Sequence, residues 1–240
     1  KYTTNIKAGK YAIKKGMSNN EIINSIRSSN LPIKIAFNNQ ESLKKLAGRI
    51  ASQIDADSIS LINAMSNNTF LEANSFSKKT ALGMYIPNSY EFFWNTSAET
   101  FRDRMLQEYN RFWNSNRIAK ANALNLSKDE VMTLASIVQK ETAKVDERPR
   151  VAGVYINRIK RGIPLQADPT VIFAIREKAN DFDKIIKRVL YKDLEIDSRY
   201  NTYKYAGLPP GLISMPDISS IDAVLNYEKH DYIYFVVNVE

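Results

Sequence analysis

The stretch SKDEVMTLASIVQKET, residues 127–142, restricts the fold more than any other part of this 240-residue chain. Ser127 and Glu130 precede an apolar run at the spacing of a capping box, in which each side chain bonds the other residue's backbone N–H. At about 100° per residue Val131, Leu134, Ala135 and Val138 form one stripe, so an amphipathic helix is predicted to run to Glu141. A second helix opens with Pro149 in its first turn and closes at Gly162, with Asn157 and Arg158 near its last turns. Glu141 falls on the flank of the first stripe, at the C-terminal end of its helix. Partial desolvation and the negative end of the helix dipole both disfavour its ionised form. An acid that stays protonated near neutrality suits general-acid catalysis. Capping, or ion pairing with Lys140, Arg148 or Arg150, is the plainer alternative for the same residue.

Upstream the chain reads as a small α/β unit. An extended run, Tyr11 to Ile13, leads to a turn at Gly16. A helix follows from Ser18 to Ser28, with Ser18 and Glu21 as a second capping box and Ile22, Ile23 and Ile26 at helical spacing. Leu31 to Phe37 alternates as a short strand. Residues 41–66 read as two short helices, the first striped by Leu43, Leu46 and Ile50. No Gly/Ser-rich or Pro-rich linker divides the chain, and the expected boundary lies near residue 67, giving units 1–66 and 67–240. Thr100 to Asn114 is predicted as a helix whose stripe, Phe101, Met105, Tyr109 and Phe112, belongs to the core. The aromatic stretch before it, MYIPNSYEFFWNTSAET, is expected to be loop or turn. There Tyr90, Phe93 and Trp94 either line a sugar-binding groove or plug the domain.

Two further segments are rich in turn formers and hydrogen-bonding groups. GIPLQADPT, residues 162–170, frames Gln166 and Asp168 between prolines in an expected non-helical loop, and YNTYKYAGLPPG spans 200–211. Rigid loops carrying Gln, Asp, Asn, Thr and Tyr suit recognition of a polyhydroxylated ligand, as they also suit plain turns.

Composition removes several chemistries. There is no cysteine, hence neither a disulfide framework nor thiolate catalysis. The single histidine, His230, excludes a multi-histidine metal site and disfavours a Ser-His pair. No stretch approaches the ~18 apolar residues of a membrane span, and no signal-peptide pattern opens the chain. The net charge of +8 lies wholly in the first fifty residues, which hold ten Lys/Arg and two acids; beyond them 24 bases face 24 acids. Such a basic segment is either a docking region for something anionic or a solvated surface. With Tyr2, Tyr11 and Phe37 interspersed it also raises nucleic-acid binding, but it lacks a recognition-helix, zinc or RNP-type pattern, so no nucleic-acid partner is expected.

LASIVQKET, ERPRVAGVYINRIKRGIPLQADPTVIFAI, YNTYKYAGLPPG and DYIYFVV, in that order, resemble the endolytic murein transglycosylase family, also called YceG-like, over roughly residues 80–240. IKAGKYAIKKGMSNNEIINSI is similar to the LysM-like peptidoglycan-binding segment that precedes the catalytic region in that family. The resemblance implies an α+β fold, a LysM-like strand-helix-strand unit followed by a mixed α+β catalytic domain. It implies lytic cleavage of the β-1,4 bond between N-acetylmuramic acid and N-acetylglucosamine in glycan strands, giving 1,6-anhydro ends, with no cofactor and no metal. The family's catalytic acid, the last Glu of its E-K-E-T motif, maps onto Glu141, while Gln139 stands where the motif has its first Glu. The family's P-E-G sequence is likewise altered, reading NNQES at 38–42. On this reading Asn157, Gln166, Asp168, Thr170, Asn201, Thr202 and Tyr203 are expected to line the substrate groove, with Asp168 structural or substrate-orienting. The resemblance further implies an N-terminal transmembrane anchor, missing from a chain that starts at Lys1, and action on the outer side of the cytoplasmic membrane beside cell-wall synthesis enzymes. A wall-binding module with a defunct centre is the competing reading.

Overall fold

A computed structural model describes residues 8–235; Lys1, Tyr2 and Lys7 of the basic segment and Val236 and Val237 of DYIYFVV lie outside the described residues. The architecture is mixed helix and sheet, as the α+β expectation has it. Gly16, at φ +93°, makes the turn into α1 (Asn19–Ser28), where left-handed backbone favours glycine. Ser18 caps α1, and the Glu21 carboxylate accepts from the Ser18 N–H at 2.7 Å. The extended run expected at Tyr11 to Ile13 forms no strand; the residue before it, Lys10, makes an isolated bridge to Leu31.

The strand β1 (Pro32–Phe37) finds its partner elsewhere. It pairs antiparallel with β2 (Asn88–Phe93), with Ile33 opposite Phe92 and Ile35 opposite Tyr90. This corrects the loop expected across MYIPNSYEFFWNTSAET. Tyr90 and Phe92 turn inward while Glu91 and Phe93 turn outward, the period-two pattern of a half-buried strand. Aromatic density masked that alternation. Tyr90 stacks on Phe37 across the pair, with ring centroids 5.8 Å apart.

The remaining elements are helical: α2 (Leu43–Ala51), α3 (Ser58–Met65), α4 (Asn68–Ala73), α5 (Ala98–Phe112), α6 (Ser115–Ala123), α7 (Lys128–Glu141), α8 (Arg148–Lys160), α9 (Asp168–Ala179) and α10 (Ile218–Leu225). One hydrophobic cluster joins them, from Ile35 on β1 through Phe101 and Met105 on α5 to Leu225 on α10. It runs without a break across residue 67. None of the helices among the described residues is long and apolar enough to cross a membrane.

The central helix departs from the expected stripe. Every residue of α7 from Val131 to Gln139 is buried, because α6, α8, α9 and α10 all pack on it. Ser136 and Gln139, two of its buried polar residues, are therefore obliged to find partners. Ser136 Oγ accepts from the Ile213 N–H, and the Gln139 amide spans two backbone groups, donating to Met215 O and accepting from the Asp217 N–H. The segment 211–217 is thereby laid along α7, and the N–H of Met215 in turn donates to Gln40 O in the NNQES stretch. Gln139 is thus an integral part of the packing.

Candidate active site

Glu141 is the last residue of α7, and the chain leaves it in extended conformation at Thr142. After five intervening residues Arg148 and Pro149 start α8, which returns along α7 and brings Tyr155 against the acid. Tyr155 Oη donates to Glu141 Oε2 at 2.9 Å. None of the sequence alternatives for an ion pair is realised. Lys140 pairs with Glu41, Arg150 with Glu228, and Arg148, only 5% exposed, with Asp217 at 2.9 Å.

Burial raises the Glu141 pKa above its ordinary value of 4.5; the Tyr155 hydrogen bond lowers it, the charge of Asp168 raises it and that of Arg158 lowers it, and burial prevails. The position at a helix C-terminus acts in the same direction as burial. Tyr155 is itself held far above the usual phenol range, first by burial and then by the Glu141 charge, so it serves as a donor and does not ionise.

The expected polar loops converge here, though not as uniform sugar contacts. Asp168 and Thr170 lie in the first turn of α9, which corrects the non-helical reading; Pro169 pre-sets the backbone angle of that turn. The side chains of Thr170, Asn201 and Thr202 face inward. Thr170 Oγ1 lies 2.8 Å from Thr202 Oγ1, and Thr202 Oγ1 accepts from the Ala167 N–H at 3.0 Å. Asn201 donates to Leu194 O and Ile196 O and accepts from the Tyr203 N–H. Thr170 and Thr202 thereby zip loop 163–167 and the start of α9 to loop 200–205, while Asn201 ties that loop to segment 194–196.

What the zipped loops present outward is Gln166, Asp168 and Tyr203. Tyr203 Oη donates to Asp168 Oδ1 at 2.6 Å, and Tyr203 is raised above the ordinary phenol range, by burial first and that bond second. Gln166 sits at φ +51° with its N–H bonded to Thr202 O, a strained conformation for a residue with a side chain. Asn157 stands apart, its amide spent on His230 O at 2.7 Å and Tyr232 O at 3.0 Å. Phe93 and Trp94 are partly exposed on and beside β2, and Tyr90 is engaged with Ile86 O.

Two residues of the site were given no role in the sequence reading, Tyr155 and Arg158. Arg158, 6% exposed, donates to Leu165 O and to Ile233 O at 2.7 Å, which places a buried cation between the acid and the loop. A signal existed: Val151, Ala152, Tyr155 and Arg158 follow helical spacing, and a Tyr or Arg on a buried stripe requires a polar partner.

A cavity of about 840 Å³ is bounded by Lys44, Lys79, Phe173, Phe182, Tyr200 and Leu212, among others, and Glu141 is not in its wall. A smaller one, about 190 Å³, has in its wall Lys140 and Pro169, the chain neighbours of Glu141 and Asp168.

Comparison with known proteins bears on this geometry. Residues 1–240 match the model of the YceG-like family. The chain is 32% identical over 254 residues to the endolytic murein transglycosylase of Bacillus subtilis (strain 168), a match covering 98% of this chain and 68% of that protein. It is 33% identical over 157 residues to the endolytic murein transglycosylase of Streptococcus pneumoniae (strain D39), covering 65% of this chain and only 28% of the relative. Among solved structures, the crystal structure of a yceG-like protein from Listeria monocytogenes superposes with a TM-score of 0.73 at 30% identity, over 98% of this chain and 81% of that one.

Proposed function

This chain belongs to the YceG-like family, and from that premise we propose that it is an endolytic lytic transglycosylase of peptidoglycan, a lyase, with Glu141 as its single acid and base. One observation carries the reading: Glu141 is a part-buried carboxyl with a raised pKa, aimed by Tyr155, beside two polar loops. The names of the relatives, endolytic murein transglycosylases, support the substrate class.

The chemistry follows from one carboxyl that gives and then takes a proton. Protonated Glu141 donates to the glycosidic oxygen between N-acetylmuramic acid and N-acetylglucosamine as that bond breaks. The carboxylate so formed removes the proton of the muramyl 6-hydroxyl, whose oxygen bonds to the anomeric carbon and closes the 1,6-anhydro ring. No water is consumed, and Glu141 ends protonated as it began. A hydrolase would need a second carboxyl to activate water or act as nucleophile.

The surroundings fit these two half-steps. The Tyr155 bond to Oε2 steadies the carboxylate formed midway and leaves Oε1 to move the proton. Asp168, ordered by Tyr203, offers negative charge to the developing cation at the anomeric carbon. Gln166, Asp168 and Tyr203 face the sugar, while Thr170, Asn201, Thr202 and Asn157 hold the segments that shape the groove. The N-terminal unit is the LysM-like wall-binding part, its basic excess meeting stem-peptide carboxylates. The protein works outside the cytoplasmic membrane, tethered by an N-terminal anchor, and limits strand length beside cell-wall synthesis enzymes.

Mass spectrometry of fragments released from purified glycan strands tests the proposal against Glu141→Gln. Ends in anhydromuramic acid, one water lighter than reducing ends and lost in the variant, are expected. Ordinary reducing ends would mean a hydrolase, and binding without cleavage would turn the reading to a wall-binding module.

A further inference from the structure

The segment that follows α10 returns across α8 and leaves two tyrosines in the open, Tyr232 at 59% and Tyr234 at 69% exposure. Single exposed aromatics are ordinary. This pair differs in what stands behind it. The Arg158 guanidinium lies 5.1 Å from the Tyr234 ring centroid, and Arg158 is almost wholly buried. The ring thus caps a desolvated cation, which favours the face-on geometry and holds the ring in place with its outer side to solvent. Tyr232 is stacked on His230, with centroids 4.6 Å apart and planes 25° apart. Asn157 clamps the backbone beneath both through His230 O and Tyr232 O.

The ledge is joined to the acid's surroundings through Arg158 and Tyr155. Arg158 also donates to Leu165 O, directly before Gln166, and to Ile233 O, directly before Tyr234. The next residue, Phe235, packs its ring edge-on against Tyr155, centroids 5.9 Å apart, and Tyr155 holds Glu141. Tyr234 therefore lies on Arg158, which holds the residue before Gln166, and next in the chain to the residue packed on Tyr155.

We propose that Tyr234, continued by Tyr232, is a stacking ledge for the pyranose rings of a glycan strand at the subsites flanking Glu141. It rests on the glycan-cleaving reading above. The C–H face of a pyranose is apolar and flat enough to cover an aromatic face, and a ring already immobilised loses little entropy on binding. The ledge binds sugar without entering the chemistry, so it contributes to ground state and transition state alike.

The test uses a β-1,4 N-acetylglucosamine hexasaccharide titrated calorimetrically into the Glu141→Gln protein, alone and with Tyr234→Ala or Tyr234→Phe added. Tyr234→Ala is expected to weaken binding roughly ten-fold, the order of one aromatic contact, and Tyr234→Phe to bind as the parent does. On otherwise wild-type protein, Tyr234→Ala should raise KM for strands with kcat little changed. Unchanged affinity in Tyr234→Ala overturns the ledge, as does equal loss in Tyr234→Phe, which would point to the hydroxyl. Failure of the catalytic reading is separate: wild-type protein would leave strands uncut while the hexasaccharide titration still reports on Tyr234.

Discussion

Tyr155 donates a 2.9 Å hydrogen bond from α8 to Glu141 at the end of α7, from a position that is itself buried. The bond favours the carboxylate and so opposes the burial that raises the acid's pKa. Tyr155→Phe removes the donor and keeps the ring, leaving Glu141 harder to ionise. The alkaline limb of kcat/KM should then move to higher pH, since the acid remains protonated further up the scale. The rate at the optimum should fall roughly ten-fold, the order of one hydrogen bond to a charged group. A pH–rate profile of strand cleavage reads both effects; an unmoved limb would mean the bond does not govern Glu141.

Asp168→Asn should move the same limb the other way. The Asp168 charge raises the Glu141 pKa, and the asparagine keeps the shape and an oxygen for the Tyr203 hydroxyl. With the charge gone Glu141 ionises earlier, and activity at neutral pH drops more than activity at acid pH. Loss of the charge offered to the anomeric cation lowers the rate at every pH as well, so the position of the limb reads the effect on Glu141; an unmoved limb would mean that the Asp168 charge does not act on Glu141.

What was legible in the sequence was local. The capping boxes at Ser18 and Ser127, the core stripe of α5 and the placement of Glu141 at a helix end all depend on residues within a few turns of one another. The ladder of β1 with β2 was not legible, because it joins segments separated by three helices and because SYEFFW looks like an aromatic cluster before it looks like a strand. The partners of Glu141 were hidden for the same reason: Tyr155 arrives from α8 and Asp168 from α9. Thr170, Asn201 and Thr202 show the limit of residue type. A hydroxyl or amide in a loop reads alike whether it faces a ligand or, as here, ties neighbouring segments together from within.

Glu141→Gln should abolish cleavage, by ~10³-fold or more, and yet stabilise the fold at neutral pH. A carboxyl whose pKa is raised by folding is protonated in both states below its unfolded value, close to the ordinary 4.5. As pH rises from there the unfolded chain ionises first, so native stability is lost until Glu141 ionises too. Glutamine is never charged, and its carbonyl still accepts from Tyr155. The variant should therefore have the higher Tm at pH 7.5, with the gap closing below about pH 4.5. A gap that persists at pH 4 would trace to packing, not to ionisation.

Gln139→Glu tests the buried amide that ties α7 to segment 211–217. The amide donates to Met215 O at 3.1 Å while its oxygen accepts from the Asp217 N–H and lies 3.3 Å from Ser220 Oγ. A carboxylate can keep the two bonds it accepts but has no proton for Met215, so two acceptors would face each other in a buried site. That mismatch should cost about 1–3 kcal/mol at pH 7, read from urea unfolding at unchanged slope. At pH 4 the carboxyl regains a proton and can donate to Met215 O, so the penalty should shrink. The resembling family has glutamate at this position, which makes the direction informative: equal stability at pH 7 would show that the amide proton is dispensable, and that Met215 O is satisfied without it.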